Sequence, residues 1–261
     1  MDIEGDILEI DALVEKAKQA QAVYEAQGSQ KTFDLACQAV AWALMKPEHN
    51  SSLSKQAVQK TGLGNAADKT RKNHNKTLGL LRDLKAVTAF GHVEDNAETG
   101  LSTYLRPKGV IAAIVPSTNP LATPVNNIIN ALKSGNAIII APSPKGAEPF
   151  ATLLTFIHQN LRSIGLNPDL VQMVPMPPSN ANTQLLMQLA ALLVVTGSQN
   201  NVRAGYSSGT PALGVGQGNV VTIIDESANI ADAAEKIAAS KTFDNATSCL
   251  LYTSPSPRDG D

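Results

Sequence analysis

The chain has 261 residues, a formal net charge of -2, and 43% hydrophobic against 17% charged residues. That length holds one large domain or two small ones, and the composition is that of a globular protein. The near-neutral charge leaves no basic footprint for nucleic acid, and no apolar run approaches the roughly 20 residues that span a bilayer.

The first 90 residues read as helices. Ile10, Leu13, Val14 and Ala17 recur at helical spacing, and so do Leu35, Val40 and Leu44. Pro47 closes the second helix, and Ser52–Lys60 and Ala66–Leu84 continue in the same style. From Gly109 the rhythm changes to short apolar runs alternating with amphipathic stretches, the pattern of βαβ units around a parallel sheet. Strands are expected at Val110–Val115, Ala137–Ala141, Leu170–Val174, Leu192–Thr196 and Val220–Ile224. Helices are expected between them, at Thr123–Lys133, Ala147–Ile164, Asn182–Ala190, Gln199–Ser207 and Ile230–Ser240, with Gly135 and Gly165 at C-caps. The fold class is therefore α/β, a doubly wound Rossmann-like sheet with N-terminal helices packed on it. Leu250–Asp261 has no periodicity and reads as a non-native, disordered tail, similar to a translated sequencing adapter.

Open α/β sheets bind ligands beyond the C-terminal ends of their strands, and three segments lie there. Pro116-Ser117-Thr118-Asn119-Pro120 brackets polar residues between prolines, Pro142-Ser143-Pro144-Lys145 repeats the arrangement, and Gly197-Ser198 leads a strand into a helix with Ser198 as N-cap. A helix start of that kind offers free N–H groups to a phosphate, although each segment alone reads equally well as an ordinary turn. The glycine-dense run Leu213–Asn219 precedes the expected strand at Val220 and reads as a ligand-approaching loop or a flexible connection. It is not the usual dinucleotide fingerprint, which follows a strand.

The chain has two cysteines, without disulfide spacing, and an acidic N-terminus with no signal-peptide pattern, so a cytoplasmic setting is expected. Cys37 lies on an apolar helix face and reads as structural. Cys249 follows Asp244, Asn245, Thr247 and Ser248, polar neighbours of the kind that a reactive thiolate needs. The four histidines show no ligand spacing, and no metal site is expected.

Taken in order, Gly109–Pro120, Gly135–Pro144, Thr196-Gly197-Ser198, Tyr206–Gly209, Gly214–Asn219 and Ser240–Asn245 resemble the aldehyde dehydrogenase superfamily, and within it the CoA-acylating branch. Asn245–Cys249, with Asn73–Thr77 upstream, is similar to acylating sulfoacetaldehyde dehydrogenases. The resemblance implies that the Cys249 thiolate attacks an aldehyde, that NAD or NADP takes the hydride, and that coenzyme A takes the acyl group from the resulting thioester. Hydrolytic relatives activate water with a glutamate, and no acidic residue occurs between Ser198 and Ile224, which agrees with coenzyme A as acceptor. By the same resemblance Thr118 or Asn119 orients the substrate. It further implies that the cofactor is held by Pro116, Ser117, Pro142, Ser143, Lys145, Gly197, Ser198, Val202, Val215 and Gly216.

The resemblance further implies that residues 1–245 are N-terminal helices plus a dinucleotide-binding domain, that 246–249 open a truncated catalytic domain, and that 250–261 are foreign to the fold. On that expectation the fragment is inactive alone, the full-length enzyme is a homo-oligomer, and its small-molecule partners are an aldehyde and coenzyme A. Two other functions remain open on the residues: a glutamyl-phosphate-reductase-like enzyme and a non-catalytic nucleotide-binding module.

Overall fold

The structure is a computed structural model in which residues 3–216 and 220–247 are described, with side chains from residue 7 onward. Four helices open the chain: α1 (Ile3–Gln27), α2 (Gln30–Met45), α3 (Pro47–Thr61) and α4 (Ala66–Leu84). Ser29 and Asn65 cap α2 and α4 by accepting the N–H groups of Thr32 and Asp68. Pro47 both ends α2 and opens α3, because its missing N–H costs nothing in a helix's first turn. The buried face of α2 runs through Phe33, Cys37, Val40 and Leu44, whereas Leu35 is 45% exposed, one position off the face expected for it.

An antiparallel hairpin follows, β1 (Gly91–Asn96) and β2 (Leu101–Leu105), in a region where the sequence reading places no element. All of it but Gly91 is exposed, so it lacks the apolar alternation that marks a half-buried strand. Its turn is fixed locally by the Asn96 side chain, which accepts the N–H groups of Glu98 and Thr99.

The remaining chain builds a parallel sheet of β3 (Val110–Val115), β4 (Ala137–Pro142), β5 (Val171–Met173), β6 (Leu192–Thr196) and β7 (Ala212–Val215), in the order β5-β4-β3-β6-β7. The connecting helices are α5 (Ala122–Lys133), α6 (Pro144–Ser163), α7 (Asn180–Leu189) and α8 (Gln199–Ser207). Right-handed crossovers place α5 and α6 on one face and α7 and α8 on the other. Helix α1 lies across β4 beside α7, while α2, α3 and α4 layer over α5 and α6. β3 and β4 are buried at every position, which is why both are continuous apolar runs. At the N-terminal ends of the strands, Gly135 (φ 75°) turns α5 into β4, and a Cβ there would lie 2.9 Å from Pro107 Cγ.

One expectation is overturned. The fifth strand is β7, which overlaps the start of the run Leu213–Asn219 read as a loop, and Val220–Ile224 forms no strand; all five of its residues are exposed. A strand needs a neighbour for its backbone hydrogen bonds, and β7 has taken the position beside β6, pairing Val194 with Leu213 and Val195 with Gly214. Gly214 is the residue that makes this possible. A Cβ there would come within 2.8 Å of Val202 Cγ1 and 2.9 Å of Tyr206 Cε2, so only glycine lets α8 lie that close to β7. After 220–224 comes α9 (Ile230–Thr242), which has no buried residue, and a short 3-10 turn at Phe243–Ala246.

Candidate functional site

The strand order reverses at β3, whose neighbours β4 and β6 lead outward in opposite directions, and such a switch point opens a crevice at the C-terminal ends of the strands. A cleft of about 270 Å³ lies there, lined by the ends of β3, β4 and β6 and by the first turns of α6, α7 and α8. No lining residue is charged. The three helices begin with serine N-caps, Ser143, Ser179 and Ser198, all on the cleft wall. Ser179 Oγ accepts the N–H of Asn182 at 3.0 Å and Ser198 Oγ that of Asn201 at 3.3 Å. Ser143 makes no such bond, and its Oγ is buried without a hydrogen-bond partner among the described residues. A buried hydroxyl left unpaired costs about 1–3 kcal/mol, which a ligand acceptor or donor in the cleft would recover. The converging helix N-termini make this neutral cleft electropositive and suit it to an anion such as a phosphate. Close approach is enforced at Gly146, where a Cβ would lie 2.9 Å from Pro120 Cβ, so the start of α6 presses on the loop after β3.

A second polar centre lies at the start of α4. The Asp244 side chain is fully buried between the ammonium groups of Lys69, at 3.1 Å, and Lys72. Asp244 Oδ1 accepts the backbone N–H of Asn65 at 3.0 Å, and the N–H of Asp244 donates to Asp68 Oδ2 at 2.9 Å. Lys69 Nζ also donates to the carbonyl of Thr118, at 3.4 Å. This centre therefore joins α4, the loop after β3 and the turn after α9. Burial disfavours the Asp244 carboxylate, yet bonds from Lys72, the Asn65 N–H and Lys69 outweigh it and hold its pKa below the ordinary value. Burial pushes the Lys72 ammonium the other way, below its ordinary value, despite the Asp244 partner.

The aldehyde dehydrogenase family profile matches residues 4–254, nearly the whole chain. The chain belongs to the aldehyde dehydrogenase family. It is 56% identical over 240 residues to an acylating sulfoacetaldehyde dehydrogenase of Cupriavidus necator, covering 92% of this chain and 48% of that protein. Among solved structures, an acetylating aldehyde dehydrogenase from Geobacillus thermoglucosidasius superposes with a TM-score of 0.88 at 35% identity, covering 95% of this chain and 55% of the other. A Rhodopseudomonas palustris propionaldehyde dehydrogenase with bound CoA and an acylated cysteine gives 0.78 at 32% identity, covering 90% and 53%. The chain thus spans about half the length of the relatives it matches.

Within this aldehyde dehydrogenase fold the residues singled out by sequence separate into groups. Pro116, Ser117, Pro142, Ser143, Gly197 and Ser198 line the cleft together. Lys145 is exposed and not part of the lining, and Val202 is buried under β7 rather than facing the cleft. Val215 stands beside the cleft's edge, its carbonyl accepting the Gly197 N–H at 3.1 Å, and Gly216 lies against the Gln199 side chain. Thr118 and Asn119 are half-buried just beyond the cleft, and Asn119 Oδ1 is buried without a partner among the described residues. Cys249 lies outside the described residues. Cys37 is buried, its thiol donating to the Ile129 carbonyl, and burial pushes its pKa up to about 12, so it is an inert core thiol.

The sequence reading missed Ser179, Asn180, Thr183 and Asn201 on the cleft wall. Ser179 had a visible signal, since it precedes a helix whose third residue it caps. The Lys69–Asp244 centre had only a weak one. Lys69 and Lys72 share a helix face at i, i+3, but their carboxylate partner is 175 residues from Lys69 along the chain. Among the described residues no cluster of His, Cys, Asp and Glu could hold a metal ion, and no helix is long and apolar enough to cross a membrane.

Proposed function

We propose that this chain is the cofactor-binding part of a CoA-acylating aldehyde dehydrogenase, with sulfoacetaldehyde the favoured substrate. The observation that carries the reading is the 56% identity to an acylating sulfoacetaldehyde dehydrogenase across 92% of the chain. The cleft supports it independently, because serine-capped helix starts and a Ser143 hydroxyl without a partner among the described residues fit a phosphate-bearing cofactor. When bound, a nicotinamide dinucleotide supplies the hydride acceptor and coenzyme A the thiol that receives the acyl group.

The chain's own residues then have defined tasks. The N-termini of α6, α7 and α8 hold phosphate oxygens, and Pro116, Ser117, Pro142 and Ser143 wall the nucleotide. The Cys249 thiolate adds to the aldehyde carbon to form a thiohemiacetal, and loss of hydride leaves a thioester. Thr118 and Asn119, half-buried just beyond the cleft, orient the carbonyl oxygen through their donor groups, the Thr118 hydroxyl and the Asn119 Nδ2 amide. No acidic residue between Ser198 and Ile224 is present to activate water, which favours transfer to coenzyme A over hydrolysis. A cytoplasmic setting accords with the free, buried Cys37.

Calorimetric titration of the chain with NAD+, NADP+ and coenzyme A tests the cleft. Saturable binding is expected, lost in Ser179→Trp, which fills the cleft. A folded chain that binds none of the three sinks the reading. In a polypeptide extended through a catalytic region, CoA-dependent NAD(P)H formation from sulfoacetaldehyde is expected, and Cys249→Ala is expected to abolish it.

A further inference from the structure

The sides of the cleft are held in different ways. Ser143, Ser179 and Ser198 each open a helix, so on those sides the wall is fixed by helical hydrogen bonds from the next turn onward. The β3 side, where Pro116 and Ser117 line the cleft, has no such support. Helix α5 begins only at Ala122, and the Leu121 side chain at its N-cap makes no capping bond. Pro116 and Pro120 have no N–H to give. The Thr123 N–H ties the far end of the stretch to the Asn119 carbonyl at 3.4 Å, and the rest is fixed from outside.

From one side the start of α6 presses on Pro120 at the close approach of Gly146. From the other side Lys69 reaches across from α4 and donates to the Thr118 carbonyl at 3.4 Å. This is no surface lysine lying near by chance. Its side chain is 2% exposed, and its ammonium sits 3.1 Å from the fully buried Asp244 carboxylate. That carboxylate is itself pinned, accepting the Asn65 N–H at 3.0 Å, while the Asp244 N–H donates to Asp68. Gly64 makes the room, since a Cβ there would lie 1.9 Å from Asp244 Oδ1 and 2.8 Å from Lys69 Nζ. Burying an ammonium is costly, a buried ion pair seldom repays that cost in stability, and its best-attested use is to fix register. Here the register joins α4 to Thr118 and to Asp244, which lie 49 and 175 residues from Lys69 along the chain.

We propose that Lys69 is a positioning residue for the cleft: anchored on Asp244, its ammonium holds the Thr118 carbonyl and so sets where Pro116 and Ser117 stand in the wall. The role rests on the reading of this cleft as the dinucleotide site. It has a reciprocal consequence, because coupling between two sites acts in both directions. A dinucleotide that fixes the wall also steadies the turn at Asp244, although Asp244 is not part of the cleft lining.

The test uses the 261-residue chain, with Lys69→Met to remove the ammonium and keep the stem, and Asp244→Asn to keep the shape and remove the anchoring charge. Leu161→Ala is the control for lost stability: Leu161 is fully buried near the C-terminal end of α6, about 25 Å of helix from the cleft. Affinity is read by calorimetric titration with NAD+ and NADP+, and amide hydrogen exchange by peptide mass spectrometry over 117–119 and 243–247. Lys69→Met is expected to weaken binding of whichever dinucleotide the unaltered chain takes by about tenfold, and Asp244→Asn by about threefold. Exchange at 117–119 is expected to rise about tenfold in Lys69→Met while β3 and β4 stay protected. Leu161→Ala is expected to lower the unfolding midpoint and leave affinity within about twofold. In the unaltered chain, saturating dinucleotide is expected to slow exchange at 243–247, and Lys69→Met is expected to abolish that protection. Unchanged affinity in Lys69→Met overturns the proposal, as does an equal loss in Leu161→Ala, which would make the effect one of stability alone. Protection of 243–247 that survives Lys69→Met overturns it too. If Lys69→Met loses β3 and β4 protection, Asp244→Asn decides, and unchanged affinity in it is fatal to the idea. A folded, unaltered chain that binds neither dinucleotide is a different result: it sinks the functional reading, and the role of Lys69 falls with it.

Discussion

The middle of the sheet and its β7 edge are held by different physics. β3 and β4 are buried at all positions, covered by helices on both faces, and their neighbours α5 and α6 contribute Ile128, Ile129, Phe150 and Leu153 to one continuous core. β7 is a four-residue edge strand with alternate residues exposed, and beyond it Val220, Val221, Ile223, Ile224 and Ile230 all stand in solvent. In the first region, apolar burial determines the structure. In the second, a few specific contacts determine it: glycine-enabled packing of α8 on β7, and one buried carboxylate anchoring the turn after α9. Burial is non-directional and tolerant of detail, whereas a single contact is lost with a single atom group.

Substitutions should therefore act very differently in the two regions. Phe150→Ala, in the fully buried core, is expected to cost about 3–5 kcal/mol, measured as a lowered midpoint in denaturant unfolding. A cost below that of a surface change would mean that the α6 side of the sheet is loosely packed. Gly214→Val is expected to cost about 1–3 kcal/mol by overpacking and to release the bond from the Gly214 N–H to the Tyr206 hydroxyl. Were Val220–Ile224 the true fifth strand, this substitution would be neutral, so the measurement also decides which segment completes the sheet.

The anchor at Asp244 should show itself in acid. Its folded pKa lies below the ordinary 3.8, so between those two values the unfolded state binds the extra proton. The stability it contributes is complete above the ordinary value and is lost as pH falls through the folded one. Asp244→Asn is expected to remove up to about 1.4 kcal/mol per pH unit from the acid slope of stability, followed by urea melts across that range. An unchanged slope would show that the carboxylate is not held ionised by its lysines. The smallest effect is expected at Ile223, which is 87% exposed. Ile223→Ser should alter stability by no more than about 0.5 kcal/mol while reducing self-association by sedimentation, since exposed apolar groups promote contacts between copies.

Legibility in the sequence follows the same division. Val110–Val115 and Ala137–Ala141 could be read directly because strands buried on both faces must be apolar throughout. Gln199–Ser207 could be read because a serine cap and helical spacing coincide. Pro116, Ser117, Pro142, Ser143, Gly197 and Ser198 could be gathered into one site because open parallel sheets bind at strand C-termini. The failures occurred where the local pattern pointed one way and pairing went another. Val220–Ile224 has strand composition without a partner, and Leu213-Gly214-Val215 has loop composition with one. Leu35 sits beside an apolar face without belonging to it, and the hairpin at 91–105 has no buried side to leave a pattern.

By itself, then, the sequence determined the α/β class, the alternation of buried strands with amphipathic helices, and the family, because each is written in local periodicity or contiguous motifs. The tertiary structure alone decided that β7 closes the sheet, that Ser179 joins Ser143 and Ser198 around one cleft, and that Asp244 meets Lys69 and Lys72. Each of these is a meeting of groups far apart along the chain. A residue's chemistry is legible in its letter, but the partner that satisfies a backbone group or a buried charge is chosen only when the chain folds.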